Sequence, residues 1–93
     1  MGDIEFLQEM GRRIMVRRKG LQLTQEELAE RMGVSTQMIS NLELGKKAIR
    51  PENLSRLCGI LQVSSDFILN GVDARAKVNE VAEKLLQLTD GQL

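Results

Sequence analysis

Five short, uncharged polar side chains lie close together between residues 35 and 41, and their chemistry suits the recognition of base edges. They are Ser35, Thr36, Gln37, Ser40 and Asn41. The amides of Gln37 and Asn41 each carry a donor beside an acceptor, a pattern that matches N6 and N7 of adenine in the major groove. The methyl group of Thr36 can pack on that of thymine. The alternative interpretation is an ordinary solvated helix face.

A helix must present these side chains, and the preceding sequence contains signals for the start and end of one helix just before them. Thr24 followed three residues later by Glu27 is a capping-box pattern, so we predict that a helix begins there. It should run to about Met32, and Gly33 stands where glycine commonly ends a helix.

The polar residues themselves belong to a second helix that follows at once. Ser35 is its N-cap, Ile39 and Leu42 are its buried positions, and Gly45 is expected to close it. Two helices joined by three or four residues that include Gly33 form a helix-turn-helix. The exposed face of the second helix then carries the polar residues named above.

The flanking sequence predicts three more helices and no strands. The first spans residues 4 to 18 and should end at Gly20, with apolar positions at three- and four-residue spacing: Ile4, Leu7, Met10 and Ile14. Another begins at Pro51 and buries Leu54, Leu57, Cys58 and Leu61, where Cys58 is expected to act as a small core residue. A Ser64 or Ser65 cap begins a short fifth helix. We predict an all-α DNA-binding domain over residues 1–71.

Residues 72–93 form a separate unit in this prediction, a C-terminal helix from Asp73 to about Leu88. Its apolar residues follow the spacing of a heptad: Ala74, Val78, Val81, Leu85 and Leu88. The stripe could pack back on the core, fray, or pair with a second copy. We expect dimerisation through Val78, Val81, Leu85 and Leu88.

Composition excludes several classes of function. The 93 residues contain no His and one Cys, which excludes an internal disulfide, a zinc cluster and acid–base catalysis by histidine. We find no phosphate-binding loop, so we expect no enzyme, cofactor, metal or small-molecule ligand. The lone cysteine and the lack of a long apolar run favour a cytoplasmic, nucleoid-associated protein with no membrane span.

The net charge is zero, but its distribution is uneven. Residues 12–56 hold ten of the 13 Lys and Arg and five acids, a net of +5, whereas residues 1–11 carry −3 and residues 57–93 carry −2. Local charge governs a surface, because screening limits exposed charges to about 8 Å at physiological salt. The middle of the chain can therefore attract a polyanion. We expect a solvated basic face that consists of Arg12, Arg13, Arg17 and Lys19.

Two segments of the chain resemble the phage lambda repressor and Cro helix-turn-helix family, also called the XRE type. They are LTQEELAERMGVSTQMISNLELGKK and IRPENLSRLCGILQVSSDFILNG. The resemblance covers residues from about 8 to 70 and spans five helices. It implies a five-helix, lambda-repressor-like DNA-binding domain that usually works as a dimer on a pseudo-palindromic operator.

The resemblance also implies roles for individual residues. Thr36, Gln37 and Asn41 occupy the base-reading positions, with Ser35 and Ser40 beside them. Gln25 would contact a phosphate while bracing the recognition helix. The remaining backbone contacts would come from Thr24, Lys46, Lys47 and Arg50. Arg18 and Glu43 resemble a buried ion pair between the first and third helices. The chain departs from the family in its neutral net charge and in Met38 and Leu44, which stand where polar residues are common. The methionines are expected to fill the core or the caps, except Met38, which could contact a thymine methyl group or a sugar.

These observations predict a sequence-specific transcriptional regulator, more a repressor than an activator, that binds double-stranded DNA as a homodimer. The alternative is an antitoxin or antirepressor-type module that uses the same fold to hold a protein partner. A co-purifying partner, or a stable monomer with an exposed apolar patch, would support the alternative, and an antitoxin that also represses its own operon is compatible with both.

Overall fold

Five α-helices make up most of residues 3–72, the part of the chain that our computed structural model describes. They are α1 (Asp3–Gly20), α2 (Gln25–Met32), α3 (Thr36–Glu43), α4 (Pro51–Leu61) and α5 (Ser65–Asn70). The prediction of an all-α, five-helix domain is confirmed over this range. The C-terminal helix and its stripe of Val78, Val81, Leu85 and Leu88 lie outside the described residues. None of the helices in 3–72 is long and apolar enough to cross a bilayer.

The helices pack around an aliphatic core. α1 lies against α3 and α5, while α2 lies against α3 and α4. The largest fully buried side chains come from all five helices: Met10, Ile14, Leu28, Met32, Ile39, Leu42, Leu57, Leu61 and Ile68. Burial of each such side chain contributes about 1.5–3 kcal/mol relative to exposure. The core therefore fixes which face of each short helix points outward.

Side-chain caps begin three of the helices. At α2, the Glu27 amide donates to Thr24 Oγ1 and the Thr24 amide donates to Glu27 Oε1, both at 3.0 Å. This is the capping box that the sequence predicted. Gly33 ends α2 in the left-handed conformation, with φ of 70°. Of the two serines considered as the cap of α5, Ser64 is the cap, because its hydroxyl accepts from the Phe67 amide at 3.0 Å, and Ser65 is the first residue of the helix.

The first helix differs from its prediction at both ends. It continues through Gly20, and the chain turns instead at Gln22, whose φ is 60°. Ile4 belongs to the apolar stripe that the spacing predicted, but it is 70% exposed. Helical spacing defines a face and does not show whether another helix covers it.

The arginines of α1 are placed differently from the solvated face that we expected. Arg17 Nε donates to the carbonyl of Leu61 at 2.8 Å, and Arg13 Nη1 donates to that of Ile68 at 3.2 Å. Both carbonyls belong to the C-terminal turns of helices, where backbone acceptors lack partners and the helix dipole favours a cation. The expectation was wrong for Arg13 and Arg17. It holds for Arg12 and Lys19, which are exposed.

Candidate nucleic-acid interface

One face of α3 packs in the core and its first turn is capped, so its polar face points outward. Ile39 and Leu42 are fully buried. The Ser35 hydroxyl caps the helix by accepting from the Met38 amide at 3.1 Å. As a result, Thr36 and Gln37 are exposed, while Ser40 and Asn41 are half-buried.

Two amide side chains on this outward face are joined by a hydrogen bond. Gln37 Nε2 donates to Asn41 Oδ1 at 3.1 Å, across one turn of α3. The bond leaves the Gln37 carbonyl oxygen as an acceptor and the Asn41 amide nitrogen as a donor. The pair thus presents an acceptor from Gln37 and a donor from Asn41 on neighbouring turns, and N6 and N7 of adenine require one of each.

A first groove, which we call the loop groove, separates α3 from the loop before α4. It is lined by Ser35, Gln37, Met38, Asn41, Lys47, Ala48, Arg50, Glu52 and Asn53. Lys47 and Arg50 are exposed cations on the wall opposite the recognition helix, and Glu52 is the acid among the lining residues. The groove therefore combines hydrogen-bonding amides with positive charge.

A second groove, the α2 groove, lies on the other side of the recognition helix. Thr36 of α3 meets the start of α2 there, and Lys19 and Gln22 extend the wall; the full lining is Arg18, Lys19, Gln22, Leu23, Thr24, Gln25, Glu26 and Thr36. The N-terminus of a helix carries free backbone amides and a positive dipole end. Lys19 adds a positive charge to this groove and Glu26 a negative one.

A buried ion pair joins Arg18, which lines the α2 groove, to Glu43 at the end of α3. Arg18 Nε donates to Glu43 Oε2 at 2.6 Å and Arg18 Nη2 donates to Oε1 at 3.0 Å, while Arg18 Nη1 donates to the Leu23 carbonyl at 2.8 Å. The hydrogen bond to Glu43 raises the pKa of the Arg18 guanidinium above its ordinary value. Gln25 Nε2 donates to Glu43 Oε1 at 3.0 Å. One carboxylate thus connects α1, the first residue of α2 and the last residue of α3.

The structure brings most of the sequence-predicted contact residues into these two grooves. Ser35, Gln37, Asn41, Lys47 and Arg50 share the loop groove, and Thr24, Gln25 and Thr36 share the α2 groove. Lys46 is exposed and Ser40 is half-buried, and neither lines these two grooves.

Sequence reasoning did not place three residues of the loop groove, which are Ala48, Glu52 and Asn53. Glu52 and Asn53 stand in the first turn of α4, and only the return of that helix toward α3 brings them to the groove. Met38, for which the sequence suggested a contact with a thymine methyl group or a sugar, also lines the groove.

Comparisons with known sequences point to one family. The helix-turn-helix family model matches residues 14–68. The chain is 42% identical over 64 residues to repressor protein C2 of Salmonella phage P22, a match that covers 69% of this chain and 30% of that protein. It is 31% identical over 71 residues to the HTH-type transcriptional regulator YonR of Bacillus subtilis, covering 76% and 66%. The chain thus spans less than two thirds of the length of these relatives.

Solved structures show the same arrangement of helices. The crystal structure of the P22 c2 repressor in complex with a synthetic operator matches with a TM-score of 0.67 and 42% identity, covering 70% of this chain and 98% of that one. The clp gene regulator ClgR of Corynebacterium glutamicum matches with a TM-score of 0.67 and 25% identity, covering 94% and 93%. This chain belongs to the helix-turn-helix family of the XRE, or lambda-repressor-like, type.

Proposed function

We propose that this protein is a transcriptional regulator that binds double-stranded DNA with sequence specificity and acts as a repressor. The observation that carries the proposal is the hydrogen-bonded pair of Gln37 and Asn41 on the outward face of α3, beside the cations Lys47 and Arg50. The similarity of the domain to a phage repressor that was crystallised with an operator supports it.

In this proposal α3 enters the major groove and its amides read the bases. Gln37 Oε1 accepts from adenine N6, and an amide hydrogen of the pair is donated to adenine N7. Thr36 precedes this pair at the start of the helix, and Ser35 and Ser40 lie beside it. Because the Gln37–Asn41 bond already limits both side chains, less rotamer freedom is lost when DNA binds.

Phosphate contacts on both sides of α3 would set the register of the helix on the duplex. On one side are the exposed cations Lys46, Lys47 and Arg50. On the other side are Thr24 and Gln25 at the start of α2. Gln25 Nε2 gives one hydrogen to Glu43, and its second hydrogen remains for a phosphate oxygen.

We further propose that the protein works as a homodimer in the cytoplasm. The support is the heptad spacing of Val78, Val81, Leu85 and Leu88 in the sequence. A dimer would place two recognition helices about 34 Å apart, one turn of duplex. Sedimentation equilibrium of the wild type and of Leu85→Asp tests this, since the substitution should shift the equilibrium toward monomer. Two proteins with the same association constant would contradict the dimer interface.

The proposal is tested by selecting bound duplexes from a random library and titrating the best duplex at several salt concentrations. We expect an inverted repeat with half-sites about one turn apart and a steep fall of affinity with salt. Salt-sensitive binding without any enriched sequence would contradict sequence-specific regulation.

A second candidate function is an antitoxin or antirepressor-type module that binds a protein. Exposed apolar side chains outside the two grooves favour it, since Val16 is 55% and Leu44 is 56% exposed. If no duplex is enriched, and a partner co-purifies whose binding is lost in Leu44→Asp, this second function replaces the first.

A further inference from the structure

Met38 is an apolar side chain that lies in the loop groove and outside the core. It lines that groove together with Gln37, Asn41 and Ala48. It is half-buried, yet it is not among the half-buried apolar side chains that pack on the core of the described residues. On the same helix, Ile39 and Leu42 supply the core contacts. Packing within residues 3–72 therefore does not account for an apolar residue at position 38.

The backbone at this position is held in place. The Met38 amide donates to the Ser35 hydroxyl at 3.1 Å, which fixes the first turn of α3. From this turn the methionine side chain reaches the groove between an amide pair on one side and the methyl group of Ala48 on the other. The thioether is flexible and polarizable, so it adapts to small apolar groups.

Only one feature of the major groove is apolar. Of the four bases, thymine alone presents a methyl group there, at C5 of the ring. An adenine read by Gln37 and Asn41 is paired with a thymine whose methyl group projects into the same groove. An apolar side chain beside the amide pair is therefore placed to contact this methyl group or that of a neighbouring pyrimidine.

We propose that Met38 is a specificity-determining residue that recognises the 5-methyl group of a pyrimidine in the operator. The inference rests on the proposed function, because it concerns the same recognition helix. It adds a chemical requirement that the amides cannot supply, since they do not distinguish thymine from uracil. The same contact would accept 5-methylcytosine, which carries its methyl group at the same ring position.

The test uses the full chain and the operator obtained by selection. Each thymine of one half-site is replaced in turn by deoxyuridine, which removes only the methyl group, and dissociation constants are measured by fluorescence anisotropy. For the wild type we expect one position at which the replacement weakens binding about fourfold, the effect of one buried methyl group. For Met38→Ala we expect no difference between thymine and deoxyuridine at that position.

Two further variants keep the result interpretable. Met38→Leu retains an apolar side chain of similar volume and should keep most of the preference for thymine. Leu44→Ala removes an exposed apolar side chain outside the groove and should keep all of it. Circular dichroism verifies that each variant is folded.

The possible results separate this inference from the proposed function. If an operator is bound but Met38→Ala loses as much affinity with deoxyuridine as the wild type does, the role of Met38 is wrong and the regulator function stands. If the wild type binds every deoxyuridine-containing duplex as tightly as the thymine duplex, the role of Met38 is likewise wrong and the regulator function stands. If no operator is enriched at all, both proposals fail.

Discussion

The guanidinium of Arg18 and the carboxylate of Glu43 form a bidentate ion pair that joins the last turn of α1 to the end of the recognition helix α3. Their closest atoms, Nε and Oε2, are 2.6 Å apart, and the two side chains are only 8% and 3% exposed. Glu43 also accepts from Gln25, the first residue of α2. The pair therefore fixes the relative position of the two helices of the helix-turn-helix without lining the loop groove.

Replacement of Glu43 by alanine should destabilise the fold severely. Arg18 would remain buried without its counter-ion, which costs about 3–5 kcal/mol in the free energy of unfolding. Urea denaturation followed by circular dichroism measures the loss. Glu9→Ala is the control, because Glu9 pairs with Arg12 at the exposed surface and its removal should change stability far less. Equal losses for the two variants would show that burial of the pair is unimportant.

Gly11 is predicted to be irreplaceable at the contact of α1 with α3. A Cβ atom at this position would overlap the carbonyl oxygen of Leu42 and lie 2.5 Å from that of Glu43. Both atoms belong to the backbone, so Gly11→Ala must push the helices apart, at a cost of about 1–3 kcal/mol or more. The matched control is Gly59→Ala in α4, where a Cβ meets nothing within 4 Å among the described residues 3–72 and alanine should stabilise the helix by about 0.5–1 kcal/mol. The prediction fails if the two thermal midpoints move in the same direction.

The capping box of α2 should make stability depend on acid pH. The backbone hydrogen bond from Thr24, and then its side chain, lower the pKa of Glu27 below its ordinary value. A carboxyl whose pKa is lower in the folded state stabilises the fold above the unfolded pKa of about 4.3. That stabilisation is lost as pH falls through the folded pKa.

Stability curves of the wild type and Glu27→Gln measured from pH 7 to pH 2 test this dependence. We expect a constant difference above about pH 4.3 that shrinks as the pH is lowered further. Glu26→Gln serves as the control, since the carboxylate of this exposed neighbour makes no side-chain hydrogen bond within residues 3–72. A difference between wild type and Glu27→Gln that stays constant to pH 2 would disprove the linkage.

Gln37→Ala should remove base recognition and leave non-specific binding intact. The loss of one amide contact costs about 1–3 kcal/mol on the selected operator and almost nothing on random DNA. Competition titrations with the two duplexes give both numbers. Asn70→Ala removes an exposed amide on α5, away from both grooves, and should change neither. Equal weakening on operator and random DNA would rule out a base-reading role for Gln37.

Two basic residues should respond differently to neutralisation. Lys47 lines the loop groove and is exposed, so Lys47→Ala should weaken operator and random DNA alike and reduce the slope of log affinity against log salt by about 1. Arg17 donates to the Leu61 carbonyl, so Arg17→Ala should lower the thermal midpoint and leave the salt slope unchanged. A reduced slope in Arg17→Ala would indicate that this side chain contacts DNA.

The sequence by itself determined the features that depend on near neighbours. Thr24 with Glu27, Gly33, and the Ser35 cap each involve residues no more than four or five apart, and the structure contains them. Such signals can be read locally, because the hydrogen bonds that begin or end a helix join atoms of the same turn. The aliphatic character of the core followed in the same way from composition and from three- and four-residue spacing.

Only the tertiary structure decided which side chains meet across long separations. Arg17 and Leu61 are 44 residues apart, and Arg13 and Ile68 are 55 apart, so no local pattern told these arginines from solvated ones. The exposure of Ile4 could not be read from the sequence for the same reason, since helical spacing defines a face but not whether another helix covers it. Likewise, Met38 gained its surroundings only when the loop before α4 folded back beside α3. Each of these outcomes depends on how the helices converge, which is set by the packing of the whole domain.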